Sequence, residues 1–404
     1  MSLRPSPSLS RRSLLRGAGA GLLPILSSAC PAAPATGDWP CFRGPNHNGV
    51  LEVPLTLRAG GPVKLWEVEA GRGNASMAVV QGRLYTFGSG MGSNLVCLDA
   101  ATGRPIWSRR VETHYGESTP SVENGRLYLL ASFGSPSRMP PVAYCCDAAT
   151  GNVLWKRELP VSTGAREYGH AGSPRLWEDL VILNAGGGAA LKKATGEVVW
   201  AHQGFPGLAT PVVSHLQGRP CAALFGGDRL IVREARSGRE LWQIPWKTEL
   251  AVNACDPIVF DNKIFLCSEY GRGRALYDLG GSQPRTLWEY GQGRGSSFSS
   301  GFYHGGTLYC FAENGFNCLD AATGQSRWRE PGGVSALLIG GTIIVSHSNG
   351  GLQFGRISPA GFKTLTTIEA GFRDVKAVPA YAAGRLYLRN EHGRIACFQI
   401  GAPA

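Results

Sequence analysis

The chain reads as an all-β protein, an eight-bladed β-propeller of four-stranded antiparallel blades. Three observations predict this: a recurring turn signature, tryptophans at regular intervals, and eight similar strand entries. The signature Asp-Ala-Ala-Thr-Gly-x-x-x-Trp occurs at 99–107, 147–155 and 320–328. It places Asp99, Gly103 and Trp107 in register with Asp147, Gly151 and Trp155, and with Asp320, Gly324 and Trp328. Degenerate copies carry Gly196 with Trp200, Gly238 with Trp242, and Trp288 after a longer turn. With Trp66, these tryptophans recur at intervals of 40–48 residues, the range of propeller blades.

Each unit has one internal order. A small residue, usually followed by Pro, enters a short apolar stretch; a Gly turn follows, then a strand such as Arg-Leu-Tyr at 83–85, 126–128 and 385–387. A third strand ends in Cys-Leu-Asp or a variant of it, and the fourth carries the Trp. Short apolar runs bounded by Gly, Asn and Asp are antiparallel hairpins, and four such strands repeated radially make a propeller. The entries are Ser76-Met77, Thr119-Pro120, Ser173-Pro174, Thr210-Pro211, Asp256-Pro257, Ser300-Gly301, Ser335-Ala336 and Val378-Pro379, eight in all. The last unit lacks a Trp strand, while the strand ending at Trp66 has no blade before it. The N-terminal strand therefore closes the last blade and removes an open edge.

The repeated Asp, Thr, Gly and Trp need no ligand to explain them. Trp buries area between blades and donates its N–H to a neighbouring carbonyl. Asp accepts turn amides, and Gly takes the positive-φ position.

The Asp-x-x-Thr-Gly-x-x-x-Trp element resembles the tryptophan-docking motif of the PQQ-like quinoprotein repeat superfamily of eight-bladed propellers. A second stretch, Trp39-Pro40-x-Phe42-Arg43-Gly44-Pro45-Asn46-x-Asn48-Gly49, is similar to the start of exported PQQ-like repeat proteins. The resemblance spans about residues 38–400. It is specific for fold and permissive about activity, because the superfamily contains both pyrroloquinoline-quinone alcohol dehydrogenases and a non-enzymatic, BamB-like branch.

Residues 1–29 read as a signal peptide, 30–61 as a tether and clasp, and 62–400 as the propeller. Ser10-Arg11-Arg12-Ser13-Leu14-Leu15-Arg16 matches a twin-arginine export signal. The apolar stretch behind it is too short to span a bilayer. Leu26-Ser27-Ser28-Ala29-Cys30 resembles a lipobox with Ser27 where Leu is usual, which makes Cys30 a lipidation candidate. Cleavage after Ala29 or Ala35 is the competing reading. The expected location is periplasmic or lipid-anchored, with the membrane reached only through that anchor.

The formal net charge is +11, and four unpaired arginines lie in the signal, leaving about +7 beyond it. There is no basic run, so nucleic-acid binding is not expected. The 11 cysteines of an exported chain suggest disulfides, but Cys97, Cys145, Cys318 and Cys397 share one register position and are too far apart to bridge. They read as small buried hydrophobes. Cys145-Cys146 is explained the same way, although the family's dehydrogenases carry an adjacent-cysteine ring.

Ligands bind propellers at the channel mouth, lined by loops that precede the entries. The candidates there are Arg72, Asn74, Glu117, Glu167, His170, Asn253, Asp256, Arg294 and Lys376, with His114, Tyr168, His202 and Asp374 beside them. One register column reads Asn74, Glu117, Ala171, Leu208, Ala254, Phe298, Gly333 and Lys376, which is no ring of equivalent ligands. No catalytic residue or metal site is assigned. The expectation is a monomeric, non-catalytic scaffold, without a cofactor, that binds an envelope protein, a peptide or a small ligand. The alternative is a periplasmic dehydrogenase using pyrroloquinoline quinone and Ca²⁺, which needs an aromatic floor, oxygen ligands and a base.

Overall fold

Among the described residues of the computed structural model, alternating short apolar runs and tight turns give 33 strands in eight sheets, antiparallel but for one added parallel strand, and no helix. Those residues are 37–88, 94–111, 117–132, 139–161, 170–291, 295–296 and 298–401. All fall within the unit Pro34–Ala404. Cys30, Glu167, Arg294, His114 and Tyr168 lie outside them.

The innermost strands of blades 1 to 8 are Ala78–Val80, Ser121–Glu123, Arg175–Trp177, Val212–Leu216, Ile258–Phe260, Phe302–His304, Ser335–Ile339 and Ala380–Ala382. In blade 8 the outermost strand is Val63–Glu69, paired antiparallel with Arg394–Gln399. The N-terminal strand thus closes the wheel.

Seven of the eight blades hold the next through a tryptophan, the exception being blade 7, whose outer strand Gly361–Glu369 has none. Trp66 donates to Ala100 O at 3.3 Å, Trp107 to Ala148 O at 3.3 Å, Trp155 to Lys193 O at 3.0 Å and Trp200 to Ala235 O at 3.1 Å. Trp242, Trp288 and Trp328 continue the series to Ser282, Ala321 and Ser358. The ring covers the turn glycine of the next blade so closely that a Cβ on Gly103 would lie 2.8 Å from Trp66, and one on Gly151 2.7 Å from Trp107. Those glycines also have φ near +75°, which side chains avoid. Inside the same turn, the Asp99 carboxylate accepts from Ala101 N, Thr102 N and Thr102 Oγ1. These bonds hold it below the ordinary carboxylate range.

Arg-Leu-Tyr supplies a second link. Tyr85 donates to the same Ala148 carbonyl as Trp107, Tyr128 to the Lys193 carbonyl of Trp155, and Tyr387 to the Ala100 carbonyl of Trp66. Between each Tyr and Trp lies the third-strand cysteine: Cys97 is opposite Tyr85 on one side and Trp107 on the other. A thiol is small enough to let both rings close over one carbonyl. All ten described cysteines are free and buried. Cys145 and Cys146, as neighbours on a strand, face opposite sheet surfaces and enter different core clusters.

Every blade has a register shift between its third and fourth strands. In seven blades the bulged residue immediately precedes the tryptophan. This bulge turns Leu65, Ile106, Leu154 and Val199 outward, so they remain among the exposed large hydrophobic residues.

Candidate functional site

The entries of blades 1 to 6 are linked in series by hydrogen bonds. The Ser76 amide donates to Thr119 Oγ1 (2.8 Å), Thr119 to Ser173 Oγ (3.0 Å) and Ser173 to Thr210 Oγ1 (3.2 Å). Thr210 donates to Asp256 Oδ1 (2.8 Å), and Asp256 to Ser300 Oγ (2.7 Å). A small polar side chain is what reaches the preceding blade at each step, which explains the Ser, Thr and Asp at these entries.

The segment 37–52 occupies the axis of the wheel. It starts at the hairpins that follow the innermost strands: Ala383 N donates to Gly37 O, and Gln81 N to Asp38 Oδ1. Trp39, which is buried, pairs with Val79 of blade 1, and Pro40 O accepts from Val122 N of blade 2. The chain then turns at Arg43 and Gly44, both with positive φ. A Cβ on Gly44 would lie 2.7 Å from the Trp39 ring, so only glycine fits. The return limb adds Val50–Leu51 as a fifth, parallel strand on the inner edge of blade 7. This plug covers strand edges that otherwise face the channel unpaired.

At its tip the Arg43 guanidinium donates to Asn48 O (2.9 Å) and Gly301 O, and lies 3.6 Å from Asp256 Oδ2. Both side chains are buried. Burial raises the Asp256 carboxyl to about 6 and lowers Arg43, so loss of water outweighs the attraction within the pair. Arg175 stands nearby. Its Nη2 donates to Val213 O at 3.3 Å, and burial lowers its pKa to about 10. Cys41, with Sγ 3.3 Å from His47 Nδ1, is raised to about 12 by burial and is a poor nucleophile.

The structure separates the remaining candidates into distinct environments. Asn74 Nδ2 lies 3.4 Å from Glu117 Oε1, so one pair of the register column does meet, across blades 1 and 2. Burial raises the Glu117 carboxyl against the pull of Asn74, Arg389 and Lys376. Lys376 forms an ion pair with Glu391. Glu391 also groups with Asp374 and His392, whose ligand atoms lie within 4.8 Å of one another. The Lys376 ammonium already neutralises one of those carboxylates. Arg72 is exposed.

Asn253 is fully buried: its amide nitrogen donates to Gly226 O (2.8 Å) and Trp246 O (3.4 Å), and its oxygen accepts from Ser268 Oγ (2.8 Å). His170 is also buried, with neither ring nitrogen hydrogen-bonded. Burial lowers its pKa to about 4.

These contacts test the fit of a quinone-linked Ca²⁺. Asn253 Oδ1 is held by Ser268, and Asp256 is shared between Thr210 and Arg43. These two oxygen donors do not converge on an open position, and the adjacent cysteines face apart. As engaged here, neither Asn253 nor Asp256 fits that group.

Arg389 belongs to no motif or candidate loop of the sequence. Its fully buried guanidinium donates to Ala75 O, Thr86 Oγ1, Phe87 O and Gly71 O at 2.6–2.8 Å, tying blade 8 to blade 1. The only signal was an arginine where a core strand should be apolar.

Comparison with known proteins agrees with this architecture. The structure of BamB from Moraxella catarrhalis is similar over 84% of this chain and 97% of that one, with a TM-score of 0.62 and 16% identity. Quinohemoprotein alcohol dehydrogenase ADHIIG from Pseudomonas putida HK5 matches 91% of this chain and 81% of its own, with a TM-score of 0.62 and 13% identity. At these identities the likeness establishes the fold. Among curated sequences, the serine/threonine-protein kinase AfsK of Streptomyces coelicolor is 29% identical over 176 residues, 41% of this chain. The chain spans about a fifth of that relative's length, since the match covers 19% of it. A family model described as outer membrane protein assembly factor BamB matches residues 58–139 and 137–330. With two thirds of its length matched and the tryptophan-docked wheel in place, the chain belongs to the BamB family of PQQ-like repeat propellers.

Proposed function

We propose that this protein is an exported, non-catalytic binding scaffold of the cell envelope, working as a monomer without a cofactor. The observation that carries the reading is the plugged axis. Residues 37–52 occupy the channel from the hairpin end, and Arg43 and Thr210 engage the Asp256 carboxylate that a bound cation would need. What remains for a partner is the opposite mouth, where Asn74, Glu117, Arg72 and Lys376 stand on loops carried by a rigid wheel. An envelope protein, or a peptide from one, is the partner class that family membership favours.

Export rests on Ser10–Arg16 and the short apolar stretch behind it, with Cys30 as the proposed lipidation site. In this reading 1–29 is the removed signal, 30–61 the tether and plug, and 62–400 the wheel. No helix among the described residues is long and apolar enough to cross a membrane.

The test is site-specific photo-cross-linking in cells from Arg72 and Lys376, with Val153 on the outer wall as control. A stoichiometric envelope partner captured at the mouth but not at the wall is expected. Capture of equal yield from both positions, or of no protein, contradicts the scaffold reading.

A further inference from the structure

We propose that the cleft between blades 3 and 4 is a binding site for a neutral polyhydroxy ligand the size of one sugar unit. The inference is independent of the envelope-partner reading and concerns a different surface. The cleft encloses about 260 Å³ between the turn at 184–188, the connection at 203–205 and the blade 4 strands Arg229–Glu234 and Glu240–Pro245. That is just below the about 300–1,000 Å³ of drug-sized ligand sites, which suits one ring.

Glycine builds one wall. A Cβ on Gly204 would lie 2.7 Å from Gly187 Cα, and one on Gly187 2.5 Å from Gln203 O. The two loops therefore meet backbone to backbone, and no side chain from either glycine fills the space.

The charges in the cleft cancel. Arg229 donates through Nε and Nη2 to the two oxygens of Asp228, at 3.1 and 2.7 Å. Arg233 faces Glu240 at 3.5 Å and spends Nε and Nη1 on Gly187 O and Gly238 O. Neither guanidinium is left for a phosphate or carboxylate, so an anion has no counter-charge here.

Polar capacity of both kinds remains. Gln203 donates Nε2 to Pro160 O at 3.0 Å, which leaves its oxygen as an acceptor. Gln243 accepts from Arg229 at 3.0 Å through Oε1, which leaves its amide as a donor. Glu240 engages Arg233 through one oxygen only. Acceptors and donors on facing walls, with no net charge, match hydroxyl groups, which both give and receive.

The experiment is calorimetric titration of the full chain with the methyl glycosides of glucose, galactose, mannose and N-acetylglucosamine, and with glucuronate as the charged counterpart. One neutral glycoside is expected to saturate a single site with a Kd of about 1 mM, the range for a small ligand in an open cleft. Glucuronate should bind about tenfold more weakly or not at all. Gln203→Ala and Gln243→Ala should each weaken binding about tenfold, the loss of one well-placed hydrogen bond. Both glutamines are exposed, so the urea midpoint should not move, which separates loss of ligand from loss of fold. Absence of saturation by every neutral glycoside, tighter binding of glucuronate, or unchanged affinity in both variants would overturn the proposal.

Discussion

Replacing Arg43 by Met keeps most of the stem and removes the guanidinium. Three contacts disappear, to Asn48 O, Gly301 O and Asp256, while Asp256 stays buried and still accepts from Thr210 N. Breaking one side of a buried ion pair costs about 3–5 kcal/mol, and the cost here has a pH signature. Burial already raises the folded Asp256 pKa from 3.8 to about 6, and loss of Arg43 raises it further. A carboxyl whose folded pKa exceeds its unfolded value holds its proton more tightly when folded. Its stability contribution is therefore lost as pH rises through the folded pKa. The penalty of Arg43→Met should thus be larger at pH 8 than at pH 5.5. Adding Asp256→Asn, which retains the oxygen facing Thr210, should restore about 2 kcal/mol or more. Urea unfolding of the four proteins at both pH values measures this, with limited proteolysis reporting release of 37–52. A single-variant cost below about 1 kcal/mol, or no recovery in the double variant, would refute the assignment of Arg43–Asp256 as the lock of the plug.

Four further outcomes follow from other contacts in the structure. His170 has a folded pKa of about 4 against an unfolded 6.5, so the unfolded chain binds the proton better. Stability should fall as pH drops from 6.5 toward 4, by about 3 kcal/mol in all, and His170→Phe should flatten that slope in urea titrations. Trp107→Ala should cost about 3–5 kcal/mol by opening the joint between blades 1 and 2. Tyr85→Phe, which leaves the Ala148 carbonyl its bond from Trp107, should cost about 0.5–1.5 kcal/mol in the same assay. The ten described cysteines should resist thiol labelling in the native protein and all react after denaturation, because each is buried and none is bridged.

The wheel was legible because its joints repeat. Asp99, Gly103 and Trp107 recur as a set since each joint poses the same problem of turn amides, positive φ and a donor for one carbonyl, and eight entries give the blade number. The partners of each repeated residue were less visible. The sharing of one carbonyl by Tyr85 and Trp107 depends on strand register, and the outward Leu65 and Ile106 depend on a bulge that no residue type announces.

The site was harder to read, because its residues occur once each. Asn253 and Asp256 look like free oxygen donors in sequence, but their engagement comes from chain segments 15 to 213 residues away: Ser268 for one, Thr210 and Arg43 for the other. Trp39, Phe42 and Arg43 announced a packing element. Its position on the axis follows only from pairing with Val79, Val122 and Leu338, which hydrophobic pattern does not encode.

In the proposed function these residues spend their polar groups on holding the wheel and its plug together, and the axis offers no quinone and cation site. Titration of the purified full chain with pyrroloquinoline quinone and Ca²⁺, followed by absorbance and dye-linked oxidation of alcohols and sugars, tests it most directly. No stoichiometric uptake of the quinone and no turnover are expected. One quinone bound per chain, with substrate-dependent dye reduction, would contradict it.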